Sequence, residues 1–190
     1  TGRRFYVVPE KNIVQATSIN LQTCKPATCN PGPIYMKFDT IEEVLRDIKK
    51  GKMVVILDDA SRENEGDLIM AASKVKPADI NFMAKHGRGL ICVPMRSKDL
   101  KRLDLRPMST EQKDPYHTAW TISVDAKKGI STGISAHDRA RTIKLLSKTS
   151  SRAGDFIKQG HVFPLASKEG GVLVWAGHTE ACDDLLRLAA

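Results

Sequence analysis

At 190 residues and 21.0 kDa, with 41% hydrophobic and 27% charged residues, the chain can bury one real core and is neither disordered nor low-complexity. No apolar run approaches the ~20 residues that cross a bilayer, and the opening Thr-Gly-Arg-Arg-Phe builds no secretory signal. The net charge of +8 suits an anionic partner, nucleic acid or a phosphorylated metabolite, while 5% aromatic residues argue against a base-stacking surface.

Residues 1–33 carry Pro9, Pro26, Pro31 and Pro33 without sustained periodicity and read as an extension or linker. The start at Thr1 gives the expectation of a processed or excised piece. Thr40-Ile-Glu-Glu43 is a capping box opening a helix with Ile41, Val44, Leu45 and Ile48 on one stripe, which Gly51 ends. Met53–Leu57 reads as a buried strand, and Leu68–Ala72 as another. Pro77 opens a helix running to His86, Leu90–Val93 is a strand, and Ser97–Leu103 a short helix. A strand at Ala119–Val124 precedes a helix capped by Ser135 with Asp138 and carrying Ala140, Ile143 and Leu146. Strands at Val162–Leu165 and Gly171–Trp175 then lead to a last helix from His178 to Leu188. Four scattered cysteines (Cys24, Cys29, Cys92, Cys182) match neither a disulfide framework nor a zinc site, so a reducing compartment is expected.

The chemistry concentrates in three places. Asp58-Asp59-Ala60-Ser61-Arg62-Glu63-Asn64-Glu65-Gly66-Asp67 puts five carboxylates and one Arg directly after a buried strand. Crowded carboxylates repel, so a cation among them would relieve the site, and hard oxygen donors favour Mg2+ or Mn2+. A plain acidic turn fits the composition equally well. An EF-hand is excluded, because Gly66 as sixth loop position makes the twelfth Ala72 rather than Glu. Gly160-His161-Val162-Phe163-Pro164 and Ala176-Gly177-His178-Thr179-Glu180 each place a His after a Gly at an element boundary. Such a His serves acid–base work or metal ligation, or is simply a hydrogen-bonded packing residue. Gly177-His178-Thr179 at a helix start also offers free N–H groups and a hydroxyl to a phosphate.

Together with His86-Gly87-x-Gly89-Leu90-Ile91-Cys92 and Thr132-Gly133-Ile134-Ser135-Ala136, these motifs occur in an order and spacing that resembles the 3,4-dihydroxy-2-butanone 4-phosphate synthase family of riboflavin biosynthesis, from about Phe38 to Ala190. The resemblance implies an α+β fold, a single mixed-sheet domain flanked by helices over residues 34–190. It implies conversion of D-ribulose 5-phosphate to L-3,4-dihydroxy-2-butanone 4-phosphate and formate with Mg2+ or Mn2+. Glu63 and His178 are then the metal ligands, and His161, Glu63 and Asp67 the catalytic residues. Arg62, Glu63 and Asp67 contact the sugar phosphate, Trp175, Ala176, Gly177, His178 and Thr179 hold its phosphate, and Cys92 and Thr132 line the pocket. It further implies a homodimer with shared active sites, no nucleic-acid or membrane partner, a cytoplasmic or plastid location, and frequent fusion to GTP cyclohydrolase II.

Two departures bear on the activity. Trp175 stands where the family carries an Arg, and Lys158-Gln159 where it carries Arg-Pro. An indole has one N–H and no charge where a guanidinium forks onto phosphate, so Lys158 is a candidate replacement cation. The family also continues past the last helix to a strand bearing a catalytic Glu, so the domain is expected to be incomplete at its C-terminus. A catalytically lapsed or truncated sugar-phosphate binder, and a basic nucleic-acid-binding protein, are the alternative readings.

Overall fold

The computed structural model describes residues 6–9, 38–58, 65–109, 111 and 118–190. In chain order its elements are β1 (Tyr6–Pro9), α1 (Ile41–Lys49), β2 (Val54–Leu57), β3 (Gly66–Ile69), α2 (Pro77–Phe82), β4 (Cys92–Arg96), α3 (Ser97–Arg102), β5 (Val124–Ala126), α4 (Ala136–Leu146), β6 (Phe156–Lys158), β7 (Phe163–Ser167) and α5 (His178–Leu188). The capping box at Thr40 forms in both directions. Glu43 N–H donates to Thr40 Oγ1 at 3.3 Å, and Thr40 N–H to Glu43 Oε2 at 2.9 Å.

The α+β class is as expected, and the pairing is mixed. β1, β2 and β3 form an antiparallel ladder, β4 and β7 pair in parallel, and β5 and β6 pair antiparallel. Isolated bridges Trp120↔Leu165 and Val124↔Val162 tie the second pair to the third. β2 shows why its residues are all apolar. Val54 and Ile56 face a core with Val44 and Ile48 of α1 and Ala181, Cys182 and Leu185 of α5. Val55, on the opposite face, packs with Phe38, Leu57, Leu68 and Phe82. Both faces are covered, and each fully buried aliphatic there contributes about 1.5–3 kcal/mol over exposure. A larger core joins α2, α3 and α4 to β4 and β5 through Ile80, Leu100, Ile143, Val93 and Val124.

Several expected elements are displaced. The second strand starts at Gly66 rather than Leu68, because Gly66 pairs with Leu57 and sets the register. The next starts at Cys92, which pairs with Phe163. The helix from Pro77 changes at Met83 into a wider π-helical turn ending at Gly87, with His86 stacked 4.5 Å from Phe82. Ala119–Val124 is not a ladder: Trp120 and Thr121 bridge different neighbours, and the strand begins at Val124.

Gly171–Trp175 is not a strand. Val174 and Trp175 N–H both donate to the Gly171 carbonyl at 3.1 and 3.0 Å, and Val172 N–H goes to the Asp184 carboxylate at 3.0 Å. The segment is a 3-10 turn, its donors diverted from any ladder. β1 and β6 have no counterpart in the sequence pattern, and β1 lies inside the stretch that reads as an extension, whose other residues lie outside the described ones. No helix among the described residues is long and apolar enough to cross a membrane.

Candidate functional site

His161 sits in the short connection from β6 to β7, where backbone bonds decide its place. Gln159 and Gly160 N–H both donate to the Ser123 carbonyl, at 2.8 and 3.1 Å, and Val162 exchanges bonds with Val124 at 2.9 and 3.1 Å. This lays residue 161 across from Asp125 of β5. The Asp125 carboxylate accepts the His161 backbone N–H at 3.0 Å on one oxygen and contacts imidazole Nδ1 at 2.7 Å with the other. The Asp125 side chain is 8% exposed and that of His161 is 39%.

The loop before α4 closes over this pair. Gly133 has φ +97, and a Cβ there would lie 2.1 Å from Asp125 Oδ2 and 2.7 Å from His161 Nδ1. Only a residue without a side chain fits both the backbone and the space. Asp138 holds the loop in place: its Oδ2 accepts from Ser131 Oγ–H at 2.7 Å, Ser131 N–H at 3.2 Å and Gly133 N–H at 3.1 Å. Its own N–H takes the expected cap from Ser135 Oγ at 3.0 Å. These bonds, led by the Ser131 hydroxyl, hold the Asp138 carboxyl down at about 2, against an ordinary 3.8.

A carboxyl depressed on folding stabilises the fold above its unfolded value and ceases to do so as pH falls through its folded value. The Asp138 contribution is therefore expected to disappear between about pH 4 and pH 2. Urea unfolding of wild type and Asp138→Asn at pH 6 and pH 3 checks this. The stability gap between the two proteins should be narrower at pH 3, and an unchanged gap would remove Asp138 from this role.

The second group surrounds the start of α5. Gly177 is the N-cap, with no side-chain cap of its own. The Trp175 indole flanks it, lying 3.1 to 3.3 Å from where a Cβ at position 177 would be, with Glu180 Oε2 at 2.6 Å. Lys168 Nζ stands 3.3 Å from the Trp175 ring centroid, a cation–π pair that brings one positive charge to this loop. Lys168 N–H in turn donates to the buried Glu180 carboxylate at 3.0 Å. His178 and Thr179 are half-buried, and His178 Nε2 is shut off from solvent.

The third group is the base of the acidic loop. Asp58 N–H donates to the Glu65 carbonyl at 3.3 Å, and Glu65 N–H to Asp58 Oδ1 at 2.9 Å, so both ends of the loop are clamped at the end of the β2–β3 hairpin. Asp58 is thus structural. Asp67, on β3, lies close enough to Cys92 and Cys182 for its charge to act on both thiols. Burial first, and Asp67 second, push each thiol up to about 12. Neither is a nucleophile at neutral pH. Cys182 lies one turn after His178 on α5.

Of the expected site residues, Asp67 acts by its charge on the Cys92 thiol and on Cys182, one turn past His178, and His161 stands beside Gly133, the chain neighbour of Thr132. Arg62 and Glu63 lie outside the described residues. Among the described residues no three His, Cys, Asp or Glu side chains are grouped to hold a metal ion. Lys158 Nζ pairs with Asp104 at 2.6 Å, where Arg106 also pairs at 3.1 Å. Asp125 belongs to none of the sequence motifs. Its signal was a lone acid between Val124 and Ala126, both completely buried.

A profile of the 3,4-dihydroxy-2-butanone 4-phosphate synthase family matches residues 42–190. Over 155 residues the chain is 56% identical to the riboflavin biosynthesis protein RibBA of Aquifex aeolicus, covering 80% of this chain and 38% of the relative. It is 54% identical over 154 residues to the monofunctional riboflavin biosynthesis protein RIBA 2, chloroplastic, of Arabidopsis thaliana, covering 80% of this chain and 32% of that protein. The chain therefore spans well under half of these relatives. It also resembles a crystal structure of 3,4-dihydroxy-2-butanone 4-phosphate synthase in complex with two magnesium ions, at 48% identity and TM-score 0.79, covering 80% of this chain and 71% of that one.

Proposed function

The chain belongs to the 3,4-dihydroxy-2-butanone 4-phosphate synthase family, and on that premise we propose that it serves riboflavin biosynthesis by converting D-ribulose 5-phosphate to L-3,4-dihydroxy-2-butanone 4-phosphate and formate. The likeness to the magnesium-bound synthase carries this reading. The conversion balances without oxidant or reductant: five carbons become four plus formate, and the water lost on the way is taken back. Each stage moves protons beside a carbonyl or enediol, which calls for an acid–base group and a charge-stabilising one.

The donor set fits a divalent cation. His178 offers a nitrogen shielded from solvent, Asp67 acts on Cys182 one turn further along the same helix, and the carboxylates of 59–67 supply hard oxygens. Glu63 and His178 would hold Mg2+ or Mn2+, which when bound polarises neighbouring substrate oxygens and acidifies the adjacent C–H. Arg62 and Asp67 orient the hydroxyls. His161, its ring partly open to solvent, exchanges protons with the carbon skeleton. Trp175 to Thr179 hold the phosphate against the N–H groups opening α5, with Lys168 as the cation that the Trp175 ring keeps there. Cys92 and Thr132 line the pocket without reacting.

Residues 34–190 form the synthase unit, and the RibBA relatives are longer proteins containing such a unit. The exposed Leu173 and Val174, beside the phosphate loop, support a homodimer that shares its sites. The site of action is the cytoplasm or a plastid.

Formate release from D-ribulose 5-phosphate tests the proposal. Formate is expected with Mg2+ and none after chelation by EDTA. Sugar-phosphate binding without formate would instead support the lapsed binder that Trp175 motivates.

A further inference from the structure

We propose that Asp125 is a positioning residue for His161, fixing the imidazole tautomer so that Nε2 is the atom that exchanges protons with substrate. This rests on the reading of His161 as the acid–base residue.

An ionised carboxylate only accepts hydrogen bonds. At 2.7 Å from Asp125 Oδ2, Nδ1 must therefore carry the proton, leaving Nε2 with its lone pair. The exposures run in the same sense: the Asp125 side chain is 8% exposed, while the imidazole remains 39% exposed. Gly133 lies against both Asp125 Oδ2 and His161 Nδ1, so water does not compete for that bond. The Ser131–Asp138–Gly133 bonds keep this cover in place.

A carboxylate buried between Val124 and Ala126 is costly for a strand unless its charge is used. Here both oxygens engage residue 161, one the backbone and one the ring. A purely structural Asp would need only the backbone bond. The second contact is what a proton-transfer residue needs, since the wrong tautomer presents a donor where a base is required.

Asp125→Asn separates the two contacts. The amide oxygen can still accept the His161 N–H, while the NH2 group donates to Nδ1 and reverses the tautomer. In protein labelled with [15N]histidine, with His161→Gln identifying the signal, the wild type is expected in the Nδ1–H form and Asp125→Asn in the Nε2–H form. Formate kcat should fall by about 10²–10⁴-fold, with KM for D-ribulose 5-phosphate moving less than about threefold. Asp125→Asn/His161→Gln should be no slower than His161→Gln alone, since residues acting as a unit are not additive.

An unchanged tautomer in Asp125→Asn, or wild-type kcat in that variant, would overturn the assignment. Absence of formate from the wild type itself would sink the reading of His161 instead, and the ring spectra would still decide what Asp125 does to the imidazole. Circular dichroism confirms that the near-isosteric Asn variant is folded, and if it is not, the same comparison is made with Asp125→Glu. Glu keeps the accepting carboxylate, so it should retain the Nδ1–H form, and loss of that form would again count against the proposal.

Discussion

Gly160→Ala is expected to lower the melting temperature by roughly 2–12 °C and formate turnover by about 10²-fold. A Cβ at position 160 would stand 2.2 Å from the Val124 carbonyl carbon and 2.3 Å from Asp125 N. Those are backbone atoms of β5, so no rotamer change makes room. Overpacking of this kind costs about 1–3 kcal/mol, and a chain of this size loses about 2–4 °C for each kcal/mol.

The turnover loss follows from geometry. To relieve the clash, the Gln159–Gly160 turn must lift from the Ser123 carbonyl that both N–H groups share, which carries His161 away from Asp125. A displacement near 1 Å is enough for about a hundredfold loss when proton transfer is geometry-limited. Gly154→Ala is the matched control, because a Cβ there meets nothing within 4 Å. It should change stability by no more than about 0.5 kcal/mol and leave formate release intact. Thermal scans and formate kinetics on the two variants settle the matter. Equal behaviour at the two positions would mean that the approach at Gly160 does not fix His161.

Local signals were legible where they are enforced locally. Thr40 and Glu43 announce a helix start because the capping box needs only four consecutive residues, and Ser135 with Asp138 likewise. Val54–Leu57 was readable as a buried strand because both its faces are covered. Gly171–Trp175 departs from the strand pattern for the complementary reason: apolar residues imply burial, but the Val172 N–H is claimed by Asp184, twelve residues on and not visible as a partner from sequence, while those of Val174 and Trp175 turn back to the Gly171 carbonyl. Asp125 and His161 are separated by 36 positions, and only the β5–β6 register and the Gly160 approach bring them together. The family motifs flagged His161, while its orienting partner belongs to tertiary structure. Lys168 and Trp175 are close in sequence, yet the ring contact depends on the 3-10 turn that replaced the expected strand.

Glu63→Gln and His178→Ala are each expected to weaken Mn2+ binding by at least about 100-fold and to abolish measurable formate release, since even supporting partners of a ligand cost about 10–100-fold. The argument for the pair is electrostatic. Gln keeps a hard carbonyl oxygen but no charge, and a divalent ion in a loop that also contains Asp58, Asp59, Glu65 and Asp67 is held chiefly by charge. His178 contributes direction instead: it leads the first turn of α5, with its ring nitrogen shielded from water, so loss of the imidazole removes a donor that solvent replaces poorly. Mn2+ titration followed by the signal of the free aqueous ion reads the affinity independently of turnover. If both residues hold one ion, the double variant should bind no more weakly than the weaker single variant, because a site broken at one ligand has little left to lose at the other. Losses that simply add would place Glu63 and His178 at separate ions, and would leave the carboxylate loop and the α5 turn with distinct tasks.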